Sequence, residues 1–230
     1  MYIPKISNIT RIERNDPCYP ARLLDLYDPP NALYIYGDIG LLGLPMIAIV
    51  GSRAASPEGI KNSYYFAQAL SKVGFLVISG LARGIDGAAH WGALGPKQIH
   101  PTLAVCGTGL DIVYPREHIA LARAIGRCGL LVSELAPGLG PKACHFPRRN
   151  RIIAAALSVG ILVIEATERS GSLITARLGS ELGREVFAIP GSICRPFSRG
   201  CHKLLQQGAK LIQSPQDILE ELPMWPKTHF

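Results

Sequence analysis

The chain has 230 residues, 48% hydrophobic and 18% charged, which fits one sizeable folded domain and excludes an intrinsically disordered chain. Its 24 Lys and Arg against 17 Asp and Glu give a formal net charge of +7, a balance that favours polyanion partners, nucleic acid first. Six cysteines, at 18, 106, 128, 144, 194 and 201, form no CxxC pair, which excludes zinc-ribbon and thioredoxin readings. There is no secretory signal and no apolar run long enough to span a bilayer, so free thiols in a cytoplasmic protein are the expectation.

Residues 1–45 are irregular and rich in Pro and Asp, with one short strand predicted at 33–36; they read as an extension packed on the main domain. From 46 to 222 strands and helices alternate, and 223–230 reads as a tail. The strands are the apolar runs MIAIVG (46–51), FLVIS (75–79), TLAVCG (102–107), LLVSE (130–134), GILVIEA (160–166) and EVFAIPG (185–191), with a last short one in AKLIQ. The first intervening helix is capped by Ser56, has Pro57 in its first turn and stops at Gly74, with Ile60, Tyr64, Ala67 and Leu70 at helical spacing. GIDGAAHWGAL, REHIALARAIGR, PRRNRIIAAALS, SGSLITARLGSELG, RGCHKLLQQG and SPQDILEEL supply the later helices. This alternation predicts an α/β fold: an extended Rossmann-like, doubly wound, mostly parallel sheet with helices on both faces. Ligands of such sheets bind beyond the carboxyl ends of the strands.

The residues just after each strand therefore matter most. In GSRAASPEG, Gly51 permits a tight turn, Ser52 offers a hydroxyl, Arg53 a planar cation, and the following helix start a partial positive charge. This makes either an anion site or an ordinary turn with a solvated Arg; it is neither a Walker A loop nor a GxGxxG fingerprint. SGLARGIDGAAH adds Gly80, Gly84 and the cation Arg83 to the same rim. Asp86 and His90 share a helix face there; they suit a turn cap and its hydrogen-bonded neighbour better than a metal pair. CGTGLDIVYP brings a third loop, in which Asp111 reads as a turn residue. The longest loop, 135–151, packs Lys142, Arg148, Arg149 and Arg151 around His145 and Phe146, with Asn150 at the helix start. Such cations can neutralise phosphates while an aromatic stacks on a base, or Phe146 is a staple and the arginines are ion-paired. Ser170, Gly171 and Ser172 open a helix, as an anion-binding end or a simple cap. Glu165 is the one acid placed for catalysis and has no partner in the sequence; no nucleophile–base pair, metal set or cofactor motif is evident.

IAIVGSRAASPEG, VISGLARGIDGAAH, CGTGLDIVYP, HFPRRNRIIAAAL, VIEATERSGSLITA, REVFAIPGS and SRGCHKLLQQGA run in this order from about 47 to 209. Seven such motifs in register resemble the DNA-processing protein A (DprA/Smf) family, and the lead-in DPCYPARLLDLYDPPNALYIYGD resembles its preceding segment. The resemblance implies an extended Rossmann fold, a homodimer, and a cytoplasmic non-enzyme. Its expected role is to bind and protect single-stranded DNA in natural transformation and to load the RecA recombinase. It also implies a positively charged DNA pocket lined by the GSR, SGLARGID and FPRRNR segments, here Gly51, Ser52, Arg53, Gly80, Phe146 and the arginines at 148, 149 and 151. The dimer surface is expected within 185–222. Against many members the expectation is of neither an N-terminal helical domain nor a C-terminal winged helix, and His202 stands where Asn is frequent. The alternative is a phosphoribohydrolase-like enzyme on a similar scaffold, which would need a catalytic acid that EATERSGSLITA does not supply at the required spacing.

Overall fold

A computed structural model describes residues 8–96, 101–156 and 158–222; the expected tail, 223–230, lies outside them. Nine strands among the described residues form one sheet: β1 (Thr10–Glu13), β2 (Ala32–Gly37), β3 (Met46–Val50), β4 (Leu76–Ser79), β5 (Thr102–Val105), β6 (Leu130–Ser133), β7 (Ser158–Val163), β8 (Glu185–Ala188) and β9 (Lys210–Leu211). Their order is β1-β2-β6-β5-β4-β3-β7-β8-β9. The seven strands from β6 to β9 pair in parallel, and β2 and β1 add an antiparallel edge beyond β6. The expected strand at 33–36 is thus β2, a member of the main sheet, while β1, whose TRIE sequence carries one buried residue, was not foreseen.

Each central strand is an uninterrupted apolar run because both of its faces are covered. In β3, Ile47 and Ile49 join the core beneath α1 (Pro57–Lys72) and α2 (Ile85–Ala93), while Met46, Ala48 and Val50 join the core on the opposite face. α3 (Ile119–Cys128) closes a third cluster over β5 and β6. α4 (His145–Arg151), α5 (Gly171–Glu181) and α6 (Pro196–Gln206) follow, and α7 (Pro215–Glu221) returns to α1. Among the described residues no helix is long and apolar enough to cross a membrane.

Two helices also differ from the sequence reading. The buried stripe of α1 is Ser63, Phe66, Ala67 and Leu70, and Ile60 and Tyr64 lie outside it, more than a third exposed. The helix expected from Pro147 begins two residues earlier, so Phe146 stands in its first turn rather than in a loop, and it continues as a π-helical stretch, Ile152–Ala156.

The chain leaves β3 for β4, β5 and β6 on one side, then returns to place β7 on the other. The strand order therefore reverses at β3/β7, and a crevice opens beyond their carboxyl ends. Leu103, fully buried in β5, tests how strongly the core fixes this frame. Leu103→Ala is expected to lower the unfolding free energy by about 3 kcal/mol in a denaturant titration, with the fold retained.

Candidate nucleic-acid interface

The turn after β3 is held from β7. Ser52 N–H donates to the Glu165 carbonyl at 2.8 Å, and a Cβ on Gly51 would come within 2.6 Å of Ile85 and 2.8 Å of that carbonyl. Only glycine fits this approach. Ser52 is buried, its Oγ accepting from Ala54 N–H at 3.2 Å. Arg53 then projects into solvent with its guanidinium 5.1 Å from the centroid of the Phe146 ring, a cation–π stack. The N-terminus of α1, expected to attract a ligand anion, is occupied by the protein itself. The Glu165 carboxylate accepts from Ser56 N–H at 2.9 Å and from Ser56 Oγ, and the Ser56 hydroxyl oxygen caps Gly59 N–H. Glu165 is a helix-end counter-charge, which is why it showed no partner at turn spacing.

The turn after β4 is built around Leu81, whose φ of +58° is unusual for a branched side chain. Two imidazoles hold it there. Leu81 N–H donates to His90 Nε2 at 3.3 Å, and His118 Nδ1 donates to the Leu81 carbonyl at 2.9 Å. With its Nε2 accepting, His90 donates from Nδ1 to Thr102 Oγ1 at 2.7 Å, and that hydroxyl passes on to the Val77 carbonyl. Both ring nitrogens of His90 are thus committed to the protein. Burial, assisted by His118 and Arg149, pushes its pKa down to about 3. The expected hydrogen bond between Asp86 and His90 is absent from this arrangement: Asp86 accepts instead from Gly80 and Ala82 N–H, at 3.1 and 3.3 Å. Burial raises the pKa of Asp86, against the pull of Arg149 and those two amides.

α4 delivers the remaining groups. Phe146 rests against Gly107, where a Cβ would approach its ring to 2.9 Å, and lies 5.5 Å from the Tyr114 ring. Arg149 is buried and donates from Nη1 to the Val105 carbonyl at 3.1 Å, while its Nε has no partner. It passes directly over Gly80, where a Cβ would fall 1.5 Å from Nη1. Asn150 donates to the Gly171 carbonyl at 3.4 Å, tying α4 to the start of α5. There Ser170 Oγ caps Ser172 N–H and contacts Ser172 Oγ at 2.7 Å, so of the two serines Ser170 is the cap.

Two adjoining clefts result, sharing Arg53, Ala54, Ala82 and Arg149 as their common wall. The larger, about 480 Å³, sits at the strand-order reversal and brings together Gly51, Ser52, Asp86, Ser170, Gly171 and Ser172. The smaller, about 220 Å³, brings together Gly80, Arg83, Phe146 and Tyr114. Ten of the expected site residues therefore meet along one sheet edge. Lys142 is exposed on the preceding loop and lines neither cleft. Arg148 and Arg151 also lie outside, converging on Glu134; Arg148 reaches it at 2.9 and 3.1 Å, and Arg151 additionally holds the Asp28 carbonyl. Arg83 lines the smaller cleft but forks onto Glu117. Asp111 accepts from Gly138 N–H at 2.9 Å, tying its loop to the one 27 residues on, a structural role but not the local turn expected of it. His202 Nε2 lies 2.9 Å from the Gly191 carbonyl, bracing the loop before α6. Tyr114 and the His90–Leu81–His118 clamp were not anticipated. An aromatic a few residues past a strand-end Asp was a usable signal for the first, but a leucine at positive φ leaves none.

Fold and cleft define a class: a Rossmann-like α/β protein whose switch-point crevice is walled by guanidinium groups, glycines and an aromatic pair. The chain belongs to the family described as DNA recombination-mediator protein A, whose profile matches residues 10–223. It is 50% identical over 208 residues to DNA processing protein DprA of Streptococcus pneumoniae, covering 90% of this chain and 72% of that protein. To protein Smf of Escherichia coli it is 48% identical, covering 89% of this chain and 54% of Smf, so it spans about half of that relative's length. The pneumococcal structure superposes with a TM-score of 0.89, over 94% of this chain and 75% of that one. DNA processing protein A of Helicobacter pylori, described for its single-stranded DNA binding mode, is 31% identical with a TM-score of 0.83, over 94% and 95% of the two chains.

The buried neutral His90 gives the clamp a pH signature. Between its ordinary pKa of 6.5 and the folded value of about 3, the unfolded chain binds a proton that the folded chain does not. Stability is therefore lost as pH falls, by about 2 kcal/mol between pH 6.5 and 5. Denaturant midpoints at pH 7, 6 and 5 should show this decline, and His90→Gln, less stable at pH 7, should show a shallower one.

Proposed function

We propose that this chain binds single-stranded DNA in the paired clefts, protects it, and loads the RecA recombinase onto it during natural transformation. The observation that carries the reading is the Arg53 guanidinium stacked on Phe146 in the wall between the two clefts. A fixed cation and an aromatic face at one point serve a phosphate and the base next to it. Unstacked bases can enter clefts of this size, whereas a duplex keeps its bases paired and stacked inside, so single strands bind preferentially. The single-stranded DNA binding of the Helicobacter pylori relative and the family's description as a recombination mediator support the same reading.

The protein acts as a binding module in the cytoplasm, as a homodimer that presents two such sites, and not as an enzyme. The phosphoribohydrolase alternative loses its candidate acid, because the Glu165 carboxylate is engaged by Ser56 at the end of α1. The basic contributors are Arg53 and Arg149, with Lys142 positioned to meet a longer strand and Arg83 available once it releases Glu117. Arg148 and Arg151 serve the fold instead, fixing α4 to the end of β6 through Glu134.

Fluorescence anisotropy with a labelled oligothymidylate tests this. Arg53→Ala and Phe146→Ala should each weaken binding about tenfold, the scale of one lost phosphate or stacking contact. Arg148→Ala should stay within about threefold of the parent, as expected of an exposed ion-paired residue. Unchanged affinity in both Arg53→Ala and Phe146→Ala would remove the clefts from the binding site.

A further inference from the structure

We propose that α3 is a second contact surface for the same strand, a phosphate track that carries single-stranded DNA away from the cleft mouth. The inference rests on the reading that the clefts hold a single strand, and extends its path. Tyr114 and Pro115 line the smaller cleft, and the chain continues directly into a short 3-10 turn, Arg116–His118, and then α3. Arg116, Arg123 and Arg127 follow at intervals of seven and four residues. Arg123 and Arg127 stand one turn apart on α3, and Arg116 precedes them in the 3-10 turn. The buried residues of α3, Leu121, Ala122 and Ile125, occupy the opposite side; Arg116 and Arg127 are exposed, and Arg123 between them is half-buried.

The segment itself is poor in acid. Between 116 and 128 the one carboxylate is Glu117, and its oxygens accept from Arg83. The ridge runs about 15 Å at 1.5 Å per residue, enough for successive phosphates of an extended strand.

An aromatic accompanies the ridge. Trp91 of α2 is 45% exposed, an unusual placement for the largest apolar side chain. It lies one turn beyond Gly87, where a Cβ would stand 2.8 Å from His118 at the start of α3. α2 and α3 connect consecutive parallel strands stepping the same way across the sheet, so they run side by side on one face. Trp91 therefore stands on the α2 side that borders α3, level with its middle. Cations with an aromatic beside them suit a single strand, whose phosphates are neutralised while its free bases stack.

The test compares a labelled oligothymidylate of about 6 nucleotides, long enough for the clefts, with one of about 20, long enough to continue over α3. Arg116→Gln/Arg123→Gln/Arg127→Gln should weaken the long strand roughly tenfold and reduce its salt slope by about 2, at about 0.7 per phosphate. Binding of the short strand should be unchanged, which also reports that the variant is folded. Arg116→Gln/Arg127→Gln, altering two exposed positions alone, should show a smaller shift in the same direction. In a Trp225→Phe background the remaining indole is Trp91, and its emission should be quenched by the long strand and not by the short one. If neither Gln variant changes long-strand affinity or salt slope while Arg53→Ala weakens both oligonucleotides, the α3 track is wrong and the clefts stand. If Arg53→Ala weakens neither, the cleft reading falls and the track with it.

Discussion

One buried guanidinium organises the cleft-bearing edge of this molecule. Arg149 leaves α4, crosses Gly80 at a distance no side chain would tolerate, and bonds the carbonyl that ends β5. Burying a cation is unfavourable unless nearby dipoles and charge compensate it. Here the compensation comes from Val105 and from the field of Asp86, which is itself held by the amides of Gly80 and Ala82. Glycine at 80, the acid at 86 and the arginine at 149 are therefore one requirement expressed at three places in the chain. Because α4 is anchored in this way, Phe146, one turn earlier, is fixed beneath Arg53, and the two clefts acquire their shared wall.

Around that anchor the division of labour among charged groups is clear in physical terms. Arg149 is buried and partly unpartnered, its Nε having no hydrogen-bond partner. Arg53 is exposed and stacked on an aromatic face in the wall the two clefts share. Arg148, Arg151 and Glu165 spend their charge inside the protein, locking α4 to β6 and closing the end of α1. The basic residues that look alike in the sequence thus resolve into an anchor, Arg149, a pair of braces, Arg148 and Arg151, and the exposed cations Lys142 and Arg53. These last differ in that an aromatic partner orients Arg53.

Much of this was legible from residues alone. The apolar runs and the glycines that end them placed the parallel strands, because a strand buried on both faces has little freedom in composition. The Ser56–Pro57 start of α1 was visible for the same local reason. What escaped depended on groups distant in sequence. That Glu165 fills the end of α1, 109 residues away from Ser56, has no local signature. Neither does the pairing of Arg148 and Arg151 with Glu134, which made the cations clustered before and within α4 look equally available. β1 was missed because TRIE buries one side chain and so lacks the apolar run of a central strand. Leu81 was missed because its backbone is set by His90 and His118 and not by its own preference.

The central claim is that a single strand is held at this edge by phosphate neutralisation together with base stacking. The most direct measurement is the affinity for a single-stranded oligonucleotide and for its duplex across a salt series. The account predicts that log affinity for the single strand falls linearly with log salt, by about 0.7 per phosphate engaged, and stays above that for the duplex throughout. A flat salt response, or a duplex bound as tightly as the single strand, would contradict it.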